Sequence, residues 1–232
     1  MGVEETKRRL ILTAERLFAE HGFDGVTLKQ ITAEAGQRNA SALQYHFGSK
    51  VDLVEAIVNY RIPGINDRRE QMLEELERSG RSGDLRAVLE AMVYPLAEQL
   101  GTREERRYYL GFLAQVYSNP RSGIAQMVPG KLDGGARRSG RMTREILLKL
   151  GFAAEVIVQR LSLLPWQIVH ALADFERFGL GRKPISTALF VSSLIDSLAG
   201  SLLAETSETT RGELDRNRAS FPDSSDESSN EQ

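Results

Sequence analysis

The chain has 232 residues, with 30 Lys+Arg against 32 Asp+Glu for a net charge of −2, and is 41% hydrophobic and 27% charged; this fits an ordinary globular protein of one large or two small domains. It contains no cysteine, which excludes a disulfide scaffold, a thiolate nucleophile, a CxxC redox pair and a zinc site built on sulfur. His21, His46 and His170 lie far apart, the opening MGVEETKRRL lacks a signal-peptide pattern, and no apolar run approaches the ~18 residues of a membrane span, so the expectation is a cytoplasmic protein with no cofactor, metal or membrane partner.

From Glu4 to Glu20, the residues Leu10, Ile11, Ala14, Leu17 and Phe18 recur at the three-and-four spacing of one helix face, and His21-Gly22 ends that helix. Thr27-Leu28-Lys29-Gln30 has the form of a capping box and predicts a second helix with Leu28, Ile31 and Ala35 on its apolar face. Gly36 allows a tight turn, and a short third helix is predicted from about Ala40 to Phe47 before Gly48 breaks it. Ser49-Lys50-Val51-Asp52 is a further cap with an acid at its third position. It opens a fourth helix carrying Leu53, Val54, Ile57 and Val58.

After Pro63-Gly64 the helical pattern lengthens, with segments expected near 66–79, 84–100 and 104–118 and no alternating strand pattern between them. Ser118 through Gly140 holds five glycines and two prolines and reads as a loop or a short irregular helix, with helical signal resuming at Thr143 to Leu150. Ala153 to Phe178 is apolar on more than one face and contains Pro165, which predicts a kink or a break. Ile185 to Ala204 is a second wide-faced apolar helix, and the Ser, Asp and Glu-rich residues 206–232 read as a disordered acidic tail.

Charge by segment gives no support for nucleic-acid binding, since residues 1–61 hold eight basic and eight acidic residues. Position carries the case instead. Short capped helices, a glycine turn and a polar third helix match a helix-turn-helix unit. The string Thr27, Ile31, Ala35-Gly36, Tyr45-His46-Phe47, Ser49-Lys50 and Leu53, preceded by Ala14, Leu17-Phe18 and Gly22, closely resembles the N-terminal domain of the tetracycline-repressor (TetR) family over about residues 9–58. One departure is an extra residue in the Gln37–Gln44 stretch relative to the family's usual spacing, which leaves the register of base contacts open by one position.

The resemblance implies an all-α protein: an N-terminal three-helix helix-turn-helix DNA-binding domain over residues 1–50 and a larger C-terminal helical ligand-binding and dimerisation domain over 51–205, joined by the helix from about 51 to 61. Thr27 and Lys29 at a helix start suit phosphate oxygens, and Tyr45, His46 and Lys50 resemble the family's phosphate clamp. Reading of bases would fall to Arg38, Asn39, Ser41, Ala42 and Gln44, since Arg suits guanine, Asn or Gln adenine, and Ala a thymine methyl. Phe47 reads as core, and Gln37 as a turn-shaping residue.

The implied partners are double-stranded DNA, a second copy of the chain and a small-molecule effector. Met92, Tyr94, Leu96, Tyr108, Phe112, Tyr117, Trp166 and His170 are the candidate lining of an effector pocket for an apolar or aromatic molecule; each could equally be core, His170 above all as a satisfied structural histidine. The two apolar helices at 153–178 and 185–204 are candidates for a four-helix dimer interface. Asp196, a polar residue in that stripe, should pair with Arg160 or with a hydroxyl across the dimer. A dimer would read an inverted repeat and act most readily as a repressor released by ligand. The alternatives are a DNA-bound helical dimer that binds a protein partner and, further off, a helical enzyme, although no GxSxG, P-loop, GxGxxG or HExxH is present.

Overall fold

The computed structural model describes residues 3–37, 45–101, 108–119, 134–179 and 185–220. The labelled elements are all helices: α1 (Val3–His21), α2 (Leu28–Glu34), α3 (Lys50–Arg78), α4 (Leu85–Ala97), α5 (Tyr109–Ser118), α6 (Gly135–Lys149), α7 (Ala154–Phe178), α8 (Thr187–Leu203) and α9 (Glu208–Ser220). Residues 45–47 are a further helical turn ahead of α3.

Two cores organise these helices. The first gathers Leu10, Leu17 and Phe18 of α1, Ile31 of α2, Phe47, and Leu53, Ile57 and Ile62 of α3 around Tyr109, Phe112 and Val116 of α5. The second joins Leu73 and Leu76 at the far end of α3 to α4, α6, α7 and α8. The N-terminal helices therefore share their core with the body. Gly111 brings α5 against α1 so closely that a Cβ there would sit 3.3 Å from the Ala19 Cβ.

Two expectations about continuity fail, and of the kink or break expected at Pro165 the break does not occur. Pro63-Gly64 does not end a helix; α3 runs unbroken through both, because these two residues face solvent while Ile57, Ile62 and Ile65 on the other side stay buried. Water can satisfy the carbonyl that Pro63 leaves without its usual donor. Pro165 likewise lies inside α7, which continues to Phe178. The helix expected from Thr143 begins at Gly135, whose lack of a side chain makes room for Arg69 of α3.

The tail expectation also changes. Residues 208–220 form α9, which buries no residue and is held to the start of α7 by Arg218, whose Nε and Nη2 donate to the two carboxylate oxygens of Glu155 at 2.7 and 3.0 Å. Composition concealed this because the helix depends on a partner outside its own segment; residues 221–232 lie outside the described residues. α7 is long and apolar enough to cross a membrane by length and composition, and it packs here against α5, α6 and α8.

Candidate nucleic-acid interface and effector cavity

The start of α2 is set by a reciprocal cap: the Gln30 N–H donates to Thr27 Oγ1 at 3.2 Å, and the Thr27 N–H donates to Gln30 Oε1 at 2.8 Å. Thr27 and Lys29 are both exposed. At the other end Gly36 takes φ +67, its N–H reaching the Ala33 carbonyl while the Gln37 N–H reaches that of Thr32, both at 3.0 Å. This pair of bonds is a left-handed helix end that favours glycine. Arg9 of α1 closes it by donating from Nη2 to the Ala35 carbonyl at 2.7 Å, and a Cβ on Gly36 would meet that same Nη2 at 2.8 Å. The Gln37 side-chain nitrogen is buried and has no hydrogen-bond partner among the described residues. Arg38, Asn39, Ser41, Ala42 and Gln44 lie outside the described residues.

Beyond them Tyr45 is 84% exposed, with its ring edge-on to His46 at 5.2 Å, while Phe47 is buried in the first core. Gly48 at φ +73 turns the chain into α3, which starts at Lys50 within the Ser49–Asp52 capping box. Lys50 is half-buried; its Nζ donates to the Phe23 carbonyl at 2.8 Å and lies 4.8 Å from that ring's centroid. Its ammonium is thus anchored to the α1–α2 loop, with two N–H donors beyond that bond. Tyr45, His46 and Lys50 stand together beside the start of α3, and Thr27 and Lys29 stand at the start of α2.

The clasp between this unit and the body is the Arg61–Glu15 pair. Arg61 of α3 donates from Nε and Nη2 to the two oxygens of the buried Glu15 of α1 at 2.8 and 2.7 Å. This contact raises the Arg61 pKa above its ordinary value.

In the body, α3, α4, α5, α6 and α7 line a mostly apolar, half-open cavity of ≈ 230 Å³. Of the sequence candidates Met92, Leu96 and Tyr117 line it. The other five do not. Phe112 is packed in the first core between Phe18 and Tyr109, and Tyr94 lies against the second core. Tyr108 is half-buried at the N-terminal end of α5. Trp166 is 51% exposed and stacks on His170 at 4.2 Å. His170 has both ring nitrogens occupied, by Ser118 Oγ and the Trp166 carbonyl oxygen, each at 3.0 Å. These residues share helices with the lining but point out of phase with it.

Sequence reading missed Tyr109, Asn66 and Arg69, all in the cavity wall. A signal was available: Tyr109, Leu113 and Tyr117 repeat every four residues, and Arg69 falls on the apolar phase of Ile62, Ile65, Leu73 and Leu76. Burial pushes the Tyr109 and Tyr117 phenols up and the Arg69 guanidinium down from their ordinary values. Asp196 pairs within the chain with Arg86 of α4. Arg160 instead donates to the Leu202 and Ala204 carbonyls at 2.5 and 2.6 Å, closing the end of α8.

Comparison with known proteins agrees with this geometry. The model of the family "Bacterial regulatory proteins, tetR family" matches residues 10–57. The chain is 39% identical over 75 residues to the HTH-type transcriptional dual regulator CecR of Shigella flexneri, a stretch covering 32% of this chain and 33% of that regulator. It is 25% identical over 199 residues to the HTH-type transcriptional repressor BepR of Brucella suis, covering 80% of this chain and 90% of BepR. The fold superposes on that of NalD from Pseudomonas aeruginosa with a TM-score of 0.54 at 18% identity, over 88% of this chain and all of that one (100%). The curated relatives are named as transcriptional regulators and not as enzymes. Residues 10–57 thus match the TetR family of bacterial regulatory proteins, and the all-helical body around them shares its fold with NalD.

Proposed function

We propose that the protein is a cytoplasmic homodimeric repressor that binds an inverted-repeat operator and releases it when a small molecule enters the cavity. The observation that carries this reading is the continuity of α3. Its first turn seats the Tyr45–Lys50 cluster, and about three turns further on Ile62, Ile65, Asn66 and Arg69 form one wall of the cavity. At ~1.5 Å per residue the helix is roughly 40 Å long, so a molecule filling the cavity bears on the same rod that orients the recognition unit. α5 supplies a second route, with Tyr109, Leu113 and Tyr117 in the cavity wall and Gly111 against α1. Differential fit to the two positions of these helices is what would couple ligand to DNA.

The dimer would form through α7 and α8, whose solvent side carries Val158, Leu163, Trp166, Leu189 and Leu203. Along α8 the exposed positions between these leucines include the small Ser193, Ser197 and Gly200 beside Asp196, and the small residues allow close helix approach across a two-fold axis. BepR is named a repressor, which favours repression over activation here. The apolar positions of α4 and α5 are mostly buried, so the effector reading has more support than capture of a protein partner. Selection of bound sequences from a random duplex pool, with the oligomer mass measured on the same sample, tests the reading. One inverted repeat recovered by a dimer is the expected result, and no enrichment at low salt would overturn it.

A further inference from the structure

Among the described residues the charge that lines the cavity is one-sided. Arg69 is 4% exposed, with Gly135 laid against its stem so that a Cβ there would meet Arg69 Cγ at 3.1 Å and Cβ and Cδ at 3.2 Å. Its Nε donates to the Ala91 carbonyl at 3.2 Å and its Nη1 to Asn66 Oδ1 at 2.7 Å. Both acceptors are neutral, and no carboxylate pairs with Arg69 among the described residues. The adjacent Glu70 is taken by Arg138 of α6 at 2.5 Å, which also holds Glu77 at 2.6 Å.

A guanidinium has five N–H donors, so three remain beyond these two bonds. Among the described residues no Asp or Glu lines the cavity, and Arg137 is in its wall with Arg69. Tyr109 and Tyr117 share the wall, and neither hydroxyl makes a hydrogen bond among the described residues. Burying a cation without an anion is costly, and an anion entering the cavity would complete the pair.

We infer that the cavity takes a small organic anion, an apolar body ending in a carboxylate that seats on Arg69 within reach of the Tyr109 and Tyr117 hydroxyls. This inference rests on the reading of the cavity as the effector site. The apolar body would lie against Ile62, Leu113, Ile168 and Val169. At ≈ 230 Å³ the space is below the ~300–1,000 Å³ typical of pockets for drug-sized ligands, which favours a short chain or a single ring. Arginine suits the head group because its planar fork meets a carboxylate with two parallel bonds.

The test is calorimetric titration of the full-length protein with octanoate and 4-phenylbutyrate and with their neutral amides, followed by addition of each compound to the operator complex. The acids should bind about ten- to a hundred-fold more tightly than the amides and should release DNA at correspondingly lower concentration. Arg69→Met should abolish that preference while keeping amide binding, and its ligand-free form should melt no lower than the parent, since an unpaired buried cation has been replaced by an apolar chain of similar length. Equal binding of acid and amide to the parent, or an undiminished acid preference in Arg69→Met, overturns the inference. If acids and amides release DNA equally well, or if none of the four compounds binds, the anion inference falls, while the effector reading stands or falls on the operator selection.

Discussion

Glu15 is a buried carboxylate on the helix face formed by Leu10, Ile11, Ala14, Leu17 and Phe18, and Arg61 compensates that burial. The two bonds of 2.7 and 2.8 Å cross from α1 to α3, tying the recognition unit to the helix that reaches the cavity. Removing one member of such a pair leaves the other desolvated without compensation. Arg61→Ala should therefore cost about 3 kcal/mol, at the low end for a broken buried pair because Arg61 keeps some access to water. Urea melts of the two proteins check the value; a loss below about 1 kcal/mol would mean that water replaces the guanidinium at Glu15. The residues behind this clasp are visible in the sequence, but their pairing is not, since a Glu at position 15 and an Arg at 61 announce nothing about each other.

At the scale of elements, caps and partners act differently. The Thr27–Gln30 and Ser49–Asp52 boxes were legible because a cap is a local device, made by residues three apart on one segment. α9 was not legible, because its anchor is Glu155 in the first turn of α7. The Arg218 hydrogen bonds, and then the backbone at its own helix start, hold the Glu155 carboxyl down to about 2. A depressed carboxyl stabilises docking fully above its unfolded value and loses that contribution as pH falls through the folded value. Protection of residues 208–220 from amide exchange should therefore be level near neutral pH and decline only between about pH 4.3 and the folded value near 2. Arg218→Ala should remove it at neutral pH. The pair is exposed, so added salt should weaken it as well.

At the scale of the whole molecule, the solvent-facing apolar residues of α7 and α8 are the largest unspent hydrophobic resource. Leu189 is 61% exposed and Trp166 51%, positions that burial across a two-fold axis would reward. Leu189→Arg should leave the helical circular dichroism unchanged, convert the dimer to a monomer in sedimentation, and weaken operator binding by at least about ten-fold, because one recognition unit alone contacts half the site. A monomeric parent would overturn the dimer, and a dimeric Leu189→Arg protein would place the interface elsewhere.

By itself the sequence determined the helical class, the caps that start α2 and α3, the glycine turn at Gly36 and the apolar faces of α1, α7 and α8. All of these rest on residues within one or two turns of each other, where backbone hydrogen bonding and side-chain periodicity are decided locally. Tertiary structure alone decided that α3 passes through Pro63, because the burial of Ile57, Ile62 and Ile65 on its inner side outweighs a proline facing water. It also decided which aromatics face the cavity: Tyr109 rather than Tyr108, and Tyr117 rather than Trp166. Neighbouring positions on a helix differ by about 100° in direction, so that choice belongs to the five helices that converge there. The burial of Arg69 has the same origin: its place in the apolar phase is written in the chain, but whether a carboxylate meets it depends on Glu70 turning to Arg138, an arrangement that exists only once α3 and α6 have packed.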